Sequence, residues 1–284
     1  METDNTRPRP ASNGVNFSPA TKLTAIFGDP VTHSLSPLLH NAVYKEEGVD
    51  AVMLAFANAD VAPLVAAMRA LPIHLAAVTM PHKQSIMGLL DEIDATASVI
   101  GAVNTVINRE GKLTGYNTDV AGIGKALSGV ALKGAKVLMI GAGGAARPVA
   151  YHLAREGAQL FCNNRDMQQA RELCEKFGGS LLQTSELSGK SFDLIVNATP
   201  IGMSPNVDAM PVPDELIRQG ATVFDLVYSP LETKFLKTAA SRGARGISGL
   251  VMFLAQGLEQ ERLWLGREIK DTCYTALLEG HVRA

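Results

Sequence analysis

The sequence predicts an α/β protein of two domains, and three observations carry that expectation. Apolar runs short enough to be buried strands alternate with helical patterns along most of the chain, which implies parallel pairing and layered helices. A glycine turn, Gly141-Ala142-Gly143-Gly144-Ala145-Ala146, stands between one such run and one such helix. At 284 residues the chain is long for one compact core.

The elements run in order along the chain. Residues 1 to about 20, rich in Asn, Pro, Thr and Arg, lack the apolar core of a signal peptide and read as a flexible tail. Thr24–Gly28 is a short buried strand, followed by a loop through Pro37 and a helix over Leu38–Glu47. Ala51–Ala57 is a second strand and Val61–Ala70 a second helix. Ile73–Thr79 is strand-like, and Pro81 stops it before a helix over Lys83–Leu90. Val103–Asn108 and Leu113–Asn117 form a hairpin about Arg109-Glu110-Gly111-Lys112. Strands at 136–140, 159–163, 192–197 and 222–227 then alternate with helices near 144–156, 166–177, 212–218 and 232–242. That second half is a doubly wound sheet. From Leu250 onward the pattern is helical.

Composition narrows the function. A net charge of −2 supplies no basic field for nucleic acid. No stretch approaches the roughly 18 apolar residues of a membrane span. Cys162, Cys174 and Cys273 are odd in number and lack C-x-x-C spacing, so neither a disulfide framework nor a metal site is expected. These features fit a cytoplasmic protein.

The chemistry-bearing motifs begin with the glycine turn. Gly141 permits the tight bend, Gly143 lets backbone N–H groups approach a pyrophosphate, and Ala146 lets the helix pack close to its strand. The G-x-G-x-x-A spelling in this setting points to a dinucleotide. Thr79 and Lys83, in Val78-Thr79-Met80-Pro81-His82-Lys83, lie at the carboxyl end of a strand, where open α/β sheets place ligands. A lysine in the first turn of a helix opposes the macrodipole, which hints at use, although a solvated surface lysine is the simpler alternative.

Asp119, in Gly115-Tyr116-Asn117-Thr118-Asp119, is either a helix N-cap or a carboxylate placed to orient Lys83. Ser34 and Ser36 sit in a loop and can grip a carboxylate, or else form a helix-entry turn. Asn104, in Gly101-Ala102-Val103-Asn104-Thr105, needs partners if buried. Gln256 interrupts an apolar run, Gly249–Ala255, and faces either a polar cavity or solvent.

In their order, these segments resemble the shikimate dehydrogenase family, as do Asn164-Arg165 and Asn197-Ala198-Thr199-Pro200-Ile201-Gly202-Met203. The match runs from residue 23 to the end. The resemblance implies hydride transfer between NAD(P) and a ring carbon of shikimate or a close relative. It implies Lys83 and Asp119 as the catalytic pair, and Ser34 and Ser36 on the substrate carboxylate. Thr79, Asn104, Asp119 and Gln256 would take ring hydroxyls, and Tyr228 is a further substrate contact. The cofactor set comprises Gly141, Ala142, Gly143, Gly144, Ala145, Ala146, Asn164, Arg165, Asp166, Thr199 and Met203. Leu226 and Gly249 would line the nicotinamide pocket.

It also divides the chain into a substrate domain over 21–121, completed by helices in 248–284, and a Rossmann-like cofactor domain over 122–247. No metal is implied, and the partner is a small cyclic hydroxy acid handled by a monomer or homodimer.

Two departures shape the expectation. Members specific for the 2′-phosphorylated cofactor commonly read Asn-Arg-Thr or Asn-Arg-Ser with a second basic residue following. Here the run is Asn163-Asn164-Arg165-Asp166-Met167-Gln168-Gln169, and Asp166 adds a carboxylate suited to a free ribose hydroxyl. NAD is therefore expected in preference to NADP. Ala77 stands where the biosynthetic enzymes usually carry asparagine, which suggests a divergent paralogue with a different ring substituent. Quinate and aminoshikimate dehydrogenases are the alternatives, together with an NAD-binding sensor that has lost catalysis.

Overall fold

The computed structural model describes residues 17–283. The chain builds two sheets in succession, each with its own apolar core.

The first lobe contains β1 (Lys22–Gly28), α1 (Ser36–Glu46), β2 (Ala51–Ala57), α2 (Val61–Ala70) and β3 (Leu75–Val78). It continues with β4 (Glu92–Ile93), α3 (Ala95–Ile100), β5 (Thr105–Arg109) and β6 (Lys112–Tyr116). Its strand order is β2-β1-β3-β5-β6-β4, with β1 parallel to β2 and β3, and the β5–β6 hairpin antiparallel beside β3. Phe27, Met68, Val78, Val103 and Leu113 meet in the core between this sheet and α2.

The chain then crosses through α4 (Asp119–Ala126) into the second lobe. This holds β7 (Lys136–Ile140), α5 (Ala146–Arg155), β8 (Gln159–Asn163), α6 (Met167–Phe177), β9 (Ser180–Leu181) and β10 (Leu194–Asn197). It is completed by β11 (Thr222–Asp225), α7 (Lys234–Ser241) and β12 (Arg245–Ser248). The sheet is all parallel in the order β12-β11-β10-β7-β8-β9. Alternate residues of its central strands feed opposite faces: Val137, Met139 and Val196 join one core, while Leu138, Ile140 and Ile195 join the other. Burial on both faces explains why these strands read as continuous apolar runs.

Two final helices return to the first lobe: α8 (Gly249–Leu265) and α9 (Tyr274–Arg283). Leu39 and Val43 of α1 pack against Phe253 and Leu254 of α8 and Tyr274 and Leu278 of α9. The lobes join where α4 crosses α8 at very close range. A Cβ on Gly122 would lie 2.5 Å from the Met252 carbonyl oxygen, so only glycine admits the crossing.

Several local expectations are corrected. The helix expected over Lys83–Leu90 is a run of turns ending in a 3₁₀ helix at Ser85–Leu89. The Lys83 carbonyl accepts from Val103 N at 2.7 Å, and Met87 N bonds to Gln84 O instead. An α-helical Met87–Lys83 bond would require that same carbonyl. The helix expected near 212–218 shrinks to a 3₁₀ turn at Asp214–Leu216, preceded by Pro211 and Pro213. α1 begins at Ser36, ahead of the expected Leu38, because Pro37 fits the first turn of a helix. Much of the expected N-terminal tail lies outside the described residues; within them, Ser18 and Thr21 hydrogen-bond to Asp50.

Among the described residues no helix is long and apolar enough to cross a membrane.

Candidate active site

β3 ends at Val78, and the chain turns through Thr79 to Lys83 at the carboxyl edge of the sheet. Among the bonds that hold this turn, His82, buried, bonds through Nε2 to Asn58 O at 2.7 Å, and Lys83 O receives Val103 N. The Lys83 ammonium donates to Asp119 Oδ2 at 2.6 Å, with the two side chains 15% and 5% exposed. Lys83 precedes the 3₁₀ helix, so the expected opposition to a helix dipole does not arise. Asp119 is not the N-cap of α4 either. Thr118 holds that position without a side-chain cap bond, and the Asp119 carboxylate turns toward Lys83 and Asn104.

Asn104 is the hub. Its Oδ1 accepts from Thr118 N at 2.7 Å and Thr105 Oγ1 at 2.8 Å, which fixes the orientation of the amide. Its Nδ2 then faces three acceptors: Asp119 Oδ1 and Thr118 Oγ1 at 2.9 Å, and Gln256 Oε1 at 3.1 Å. Gln256 is buried and faces this polar cluster rather than solvent, and its Nε2 returns to Phe253 O of its own helix at 2.9 Å. Sequence reasoning missed Gln260, which donates from α8 to Asn104 O and Thr105 Oγ1 at 3.1 and 2.9 Å. The signal was present, since Gln256 and Gln260 are one helical turn apart.

Tyr228 stacks on Phe253 with ring centroids 4.9 Å apart, one turn from Gln256. Burial pushes its phenol above the ordinary range, partly offset by a backbone hydrogen bond from Leu35. That contact carries the cluster to the loop of Ser34 and Ser36. Ser34 Oγ accepts from Ser36 N at 3.2 Å, as a helix-entry turn would, while the Ser36 and Thr79 hydroxyls make no hydrogen bond among the described residues. Ala77 is buried beside Ile26 and Val31.

The glycine turn faces this cluster from the second lobe. Gly141 has φ +111°, and a Cβ there would meet Ala198 O at 2.8 Å. A Cβ on Gly143 would meet nothing within 4 Å, leaving an open cradle over the turn. A Cβ on Gly144 would lie 3.2 Å from the Cβ of Lys83, so the turn and the lysine are neighbours across the lobes. Ala142 and Ala146 are buried. The first N–H groups of α5, Ala146 N and Arg147 N, bond to Gly143 O at 3.0 and 3.3 Å, so the groups left to face that cradle are Gly143 N, Gly144 N and Ala145 N, which make no hydrogen bond among the described residues. The turn therefore fits a pyrophosphate.

Beyond β8, Arg165 is exposed and makes no ion pair among the described residues. Asp166 is the N-cap of α6, its Oδ1 accepting from Gln168 N and Gln169 N at 3.0 and 3.2 Å. Asn164 Nδ2 bonds to Asp166 O at 2.9 Å.

Thr199, Leu226 and Gly249 are set by a buried triad that sequence reasoning missed. Asp225, fully buried, accepts from Thr233 Oγ1 at 2.6 Å, Asn197 Nδ2 at 2.9 Å and Val227 N at 3.1 Å. Burial nevertheless raises its carboxyl above the ordinary value, opposed by these three bonds. Asn197 Oδ1 receives Thr199 Oγ1 at 2.6 Å, and Leu226 N bonds to Asn197 O. A Cβ on Gly249 would fall 2.3 Å from Leu226 O. Met203 is exposed at the end of that loop.

Residues 26–106 match the family model of the shikimate dehydrogenase substrate binding domain, and residues 124–207 match that of shikimate / quinate 5-dehydrogenase. The shikimate dehydrogenase (NADP(+)) of Moorella thermoacetica is 43% identical over 271 residues, covering 89% of this chain and 91% of that protein. The chain belongs to the shikimate dehydrogenase family.

A shikimate dehydrogenase solved in complex with NADP+ superposes with a TM-score of 0.87 at 37% identity, over 95% of this chain and 99% of that one. The Listeria monocytogenes enzyme, in complex with shikimate and NAD, gives 0.82 at 30% identity over 95% and 99%. As a shikimate dehydrogenase family member the protein is a nicotinamide-dependent oxidoreductase acting on CH–OH. Nothing in these likenesses favours the quinate, aminoshikimate or silent-sensor alternatives.

Proposed function

We propose that the protein interconverts the ring C–OH of shikimate and the C=O of 3-dehydroshikimate with NADP(H), using Lys83 and Asp119 as the catalytic pair. One observation carries this reading: a hydrogen-bonded lysine–aspartate pair, mostly withdrawn from water, stands against the glycine turn of the opposite lobe.

When bound, the nicotinamide supplies or accepts the hydride. The chain's own residues manage the proton. As the substrate ketone gains negative charge, the Lys83 ammonium stabilises the oxygen and then protonates it; in the reverse direction neutral Lys83 Nζ takes the hydroxyl proton. Asp119 holds the ammonium at 2.6 Å, and Asn104 in turn holds Asp119. The free hydroxyls of Ser36 and Thr79, with Ser34, Gln256 and Tyr228, surround the substrate, the serines taking its carboxylate. Leu226 and Gly249 line the nicotinamide side, and Thr199 and Met203 belong to the adjoining loop.

The reading favours NADP over the NAD expected from Asp166. The Asp166 carboxylate is already engaged as a helix cap, whereas Arg165 remains free to meet a phosphate. The M. thermoacetica relative carries NADP(+) in its name. The domains of this reading are 21–121 with 248–284 for substrate and 122–247 for cofactor, acting in the cytoplasm. Every residue named lies on one chain, so it asks nothing of a second copy, whether the protein is a monomer or a homodimer.

Reduced-nicotinamide absorbance, followed with shikimate, quinate and an amino analogue against both cofactors, tests this. The highest kcat/KM is expected for shikimate with NADP+. Absence of shikimate turnover with either cofactor overturns the reading, and a strong NAD+ preference overturns its cofactor alone.

A further inference from the structure

The side chain of Arg147 reaches across the two lobes. Arg147 belongs to the first turn of α5, directly after the glycine turn, where its own N–H bonds to Gly143 O at 3.3 Å. Its Nε donates to Ile100 O of the other lobe at 2.8 Å. Ile100 is the last residue of α3, and Gly101 closes that helix in the left-handed conformation at φ +73°. A Cβ at Gly101 would meet Arg147 Nη2 at 2.8 Å and Lys176 Nζ at 3.1 Å. The glycine therefore leaves space through which the guanidinium reaches the helix end. Arg147 makes no ion pair within 4 Å among the described residues; burial holds its pKa below the ordinary value, opposed by the more distant charge of Glu172. The direct contact that this half-buried cation makes across the lobes is the bond to the Ile100 carbonyl.

The segment after Ile100 extends the reach of this bond. Gly101-Ala102-Val103-Asn104 leads into the hub of the site, and each step is tied down. Asn117 Nδ2 bonds to Ala102 O at 2.8 Å, Val103 N bonds to Lys83 O at 2.7 Å, and Asn104 holds Asp119. Movement of Ile100 is thus transmitted to both Lys83 and Asp119. On the other side, Ala146 N and Arg147 N tie α5 to Gly143 O of the glycine turn at 3.0 and 3.3 Å.

We propose that Arg147 is a positioning residue for hydride transfer: by bonding Ile100 O it sets the distance between the glycine turn and the Lys83–Asp119–Asn104 cluster. The inference rests on the catalytic reading given under Proposed function. Arg147 touches no reacting atom in this scheme. Its effect is on the register of the two lobes, and a misplacement of about 1 Å costs on the order of 10²-fold in rate.

The test uses Arg147→Ala and Arg147→Lys, measuring kcat, the cofactor dissociation constant, Tm and an inter-lobe distance. For the distance, spin labels are placed on the exposed Cys273 and on Lys237→Cys; Cys162 and Cys174 are buried. The expected result for Arg147→Ala is a kcat lower by about tenfold or more, with a broadened label distance. Its cofactor dissociation constant should stay within about threefold, because no charge-assisted phosphate contact is lost. Arg147→Lys, which keeps a donor, should recover part of both kcat and the narrow distribution. Unchanged kcat and distance in a folded Arg147→Ala overturns the proposal. So does a cofactor dissociation constant raised tenfold with the distance intact, which would make Arg147 a phosphate ligand. If the parental protein turns over no shikimate, the catalytic reading fails, while the distance measurement still decides whether Arg147 sets the lobes.

Discussion

Asp225→Asn isolates the balance between burial and hydrogen bonding in the second lobe. The parental carboxylate is fully buried and accepts three hydrogen bonds, from Thr233 Oγ1, Asn197 Nδ2 and Val227 N. In the amide, Oδ1 still serves Asn197 and Val227, and the new N–H group faces Thr233 Oγ1, which rotates to accept. The bond count is kept, so the cost at low pH is about 1 kcal/mol or less. The pH dependence differs. Burial raises the folded pKa above the ordinary 3.8, so the native state holds its proton at pH values where the unfolded chain has lost it.

Over that window the native state binds more protons, and parental stability falls as pH rises until the folded carboxyl also ionises. The amide has no such loss. The stability of Asp225→Asn relative to the parent should therefore rise from about pH 4 upward and then level off. Urea unfolding of both proteins across pH 4–8, followed by circular dichroism, measures the difference. A difference that shrinks with rising pH would show that the three hydrogen bonds outweigh desolvation, and would refute the reasoning.

Gly249→Ala places a methyl 2.3 Å from the Leu226 carbonyl oxygen, backbone against backbone, and should destabilise by about 1–3 kcal/mol or more, read as a lowered Tm. Arg165→Ala should raise the KM for NADP+ by about tenfold or more and leave that for NAD+ nearly unchanged, since about 1.5–3 kcal/mol of charge-assisted contact is removed. Steady-state kinetics with both cofactors would show it. Asn104→Ala strips acceptors from Thr118 N and Thr105 Oγ1, which are buried. It should cost about 2 kcal/mol or more in unfolding free energy and lower kcat/KM as well, and normal values of both would contradict the hub role.

Legibility followed physical cause. Lys136–Ile140 and the strands beside it were readable because burial on both faces demands uninterrupted apolar residues. β12 was missed because Arg245-Gly246-Ile247-Ser248 is an edge strand with one apolar residue. α3 has only six residues, although its N-cap Asp94 and closing Gly101 were visible signals. Asp166 was read as a carboxylate suited to a ribose hydroxyl, and its place before a helix also made it a cap.

The residues proposed as the catalytic pair, Lys83 and Asp119, were legible from ordered motifs, and the structure brings them together. The Asn197–Asp225–Thr233 triad was not, because Asn197 and Asp225 meet through the register of β10 and β11 and Thr233 joins them from the N-cap of α7. No local pattern announces a pairing made by neighbouring strand ends.

The most direct measurement is the single-turnover rate of Lys83→Met with shikimate and NADP+ at saturation. The loss of acid–base catalysis predicts a fall of about 10²–10⁴-fold while shikimate still binds. A rate within a few-fold of the parent would show that the proton is handled elsewhere.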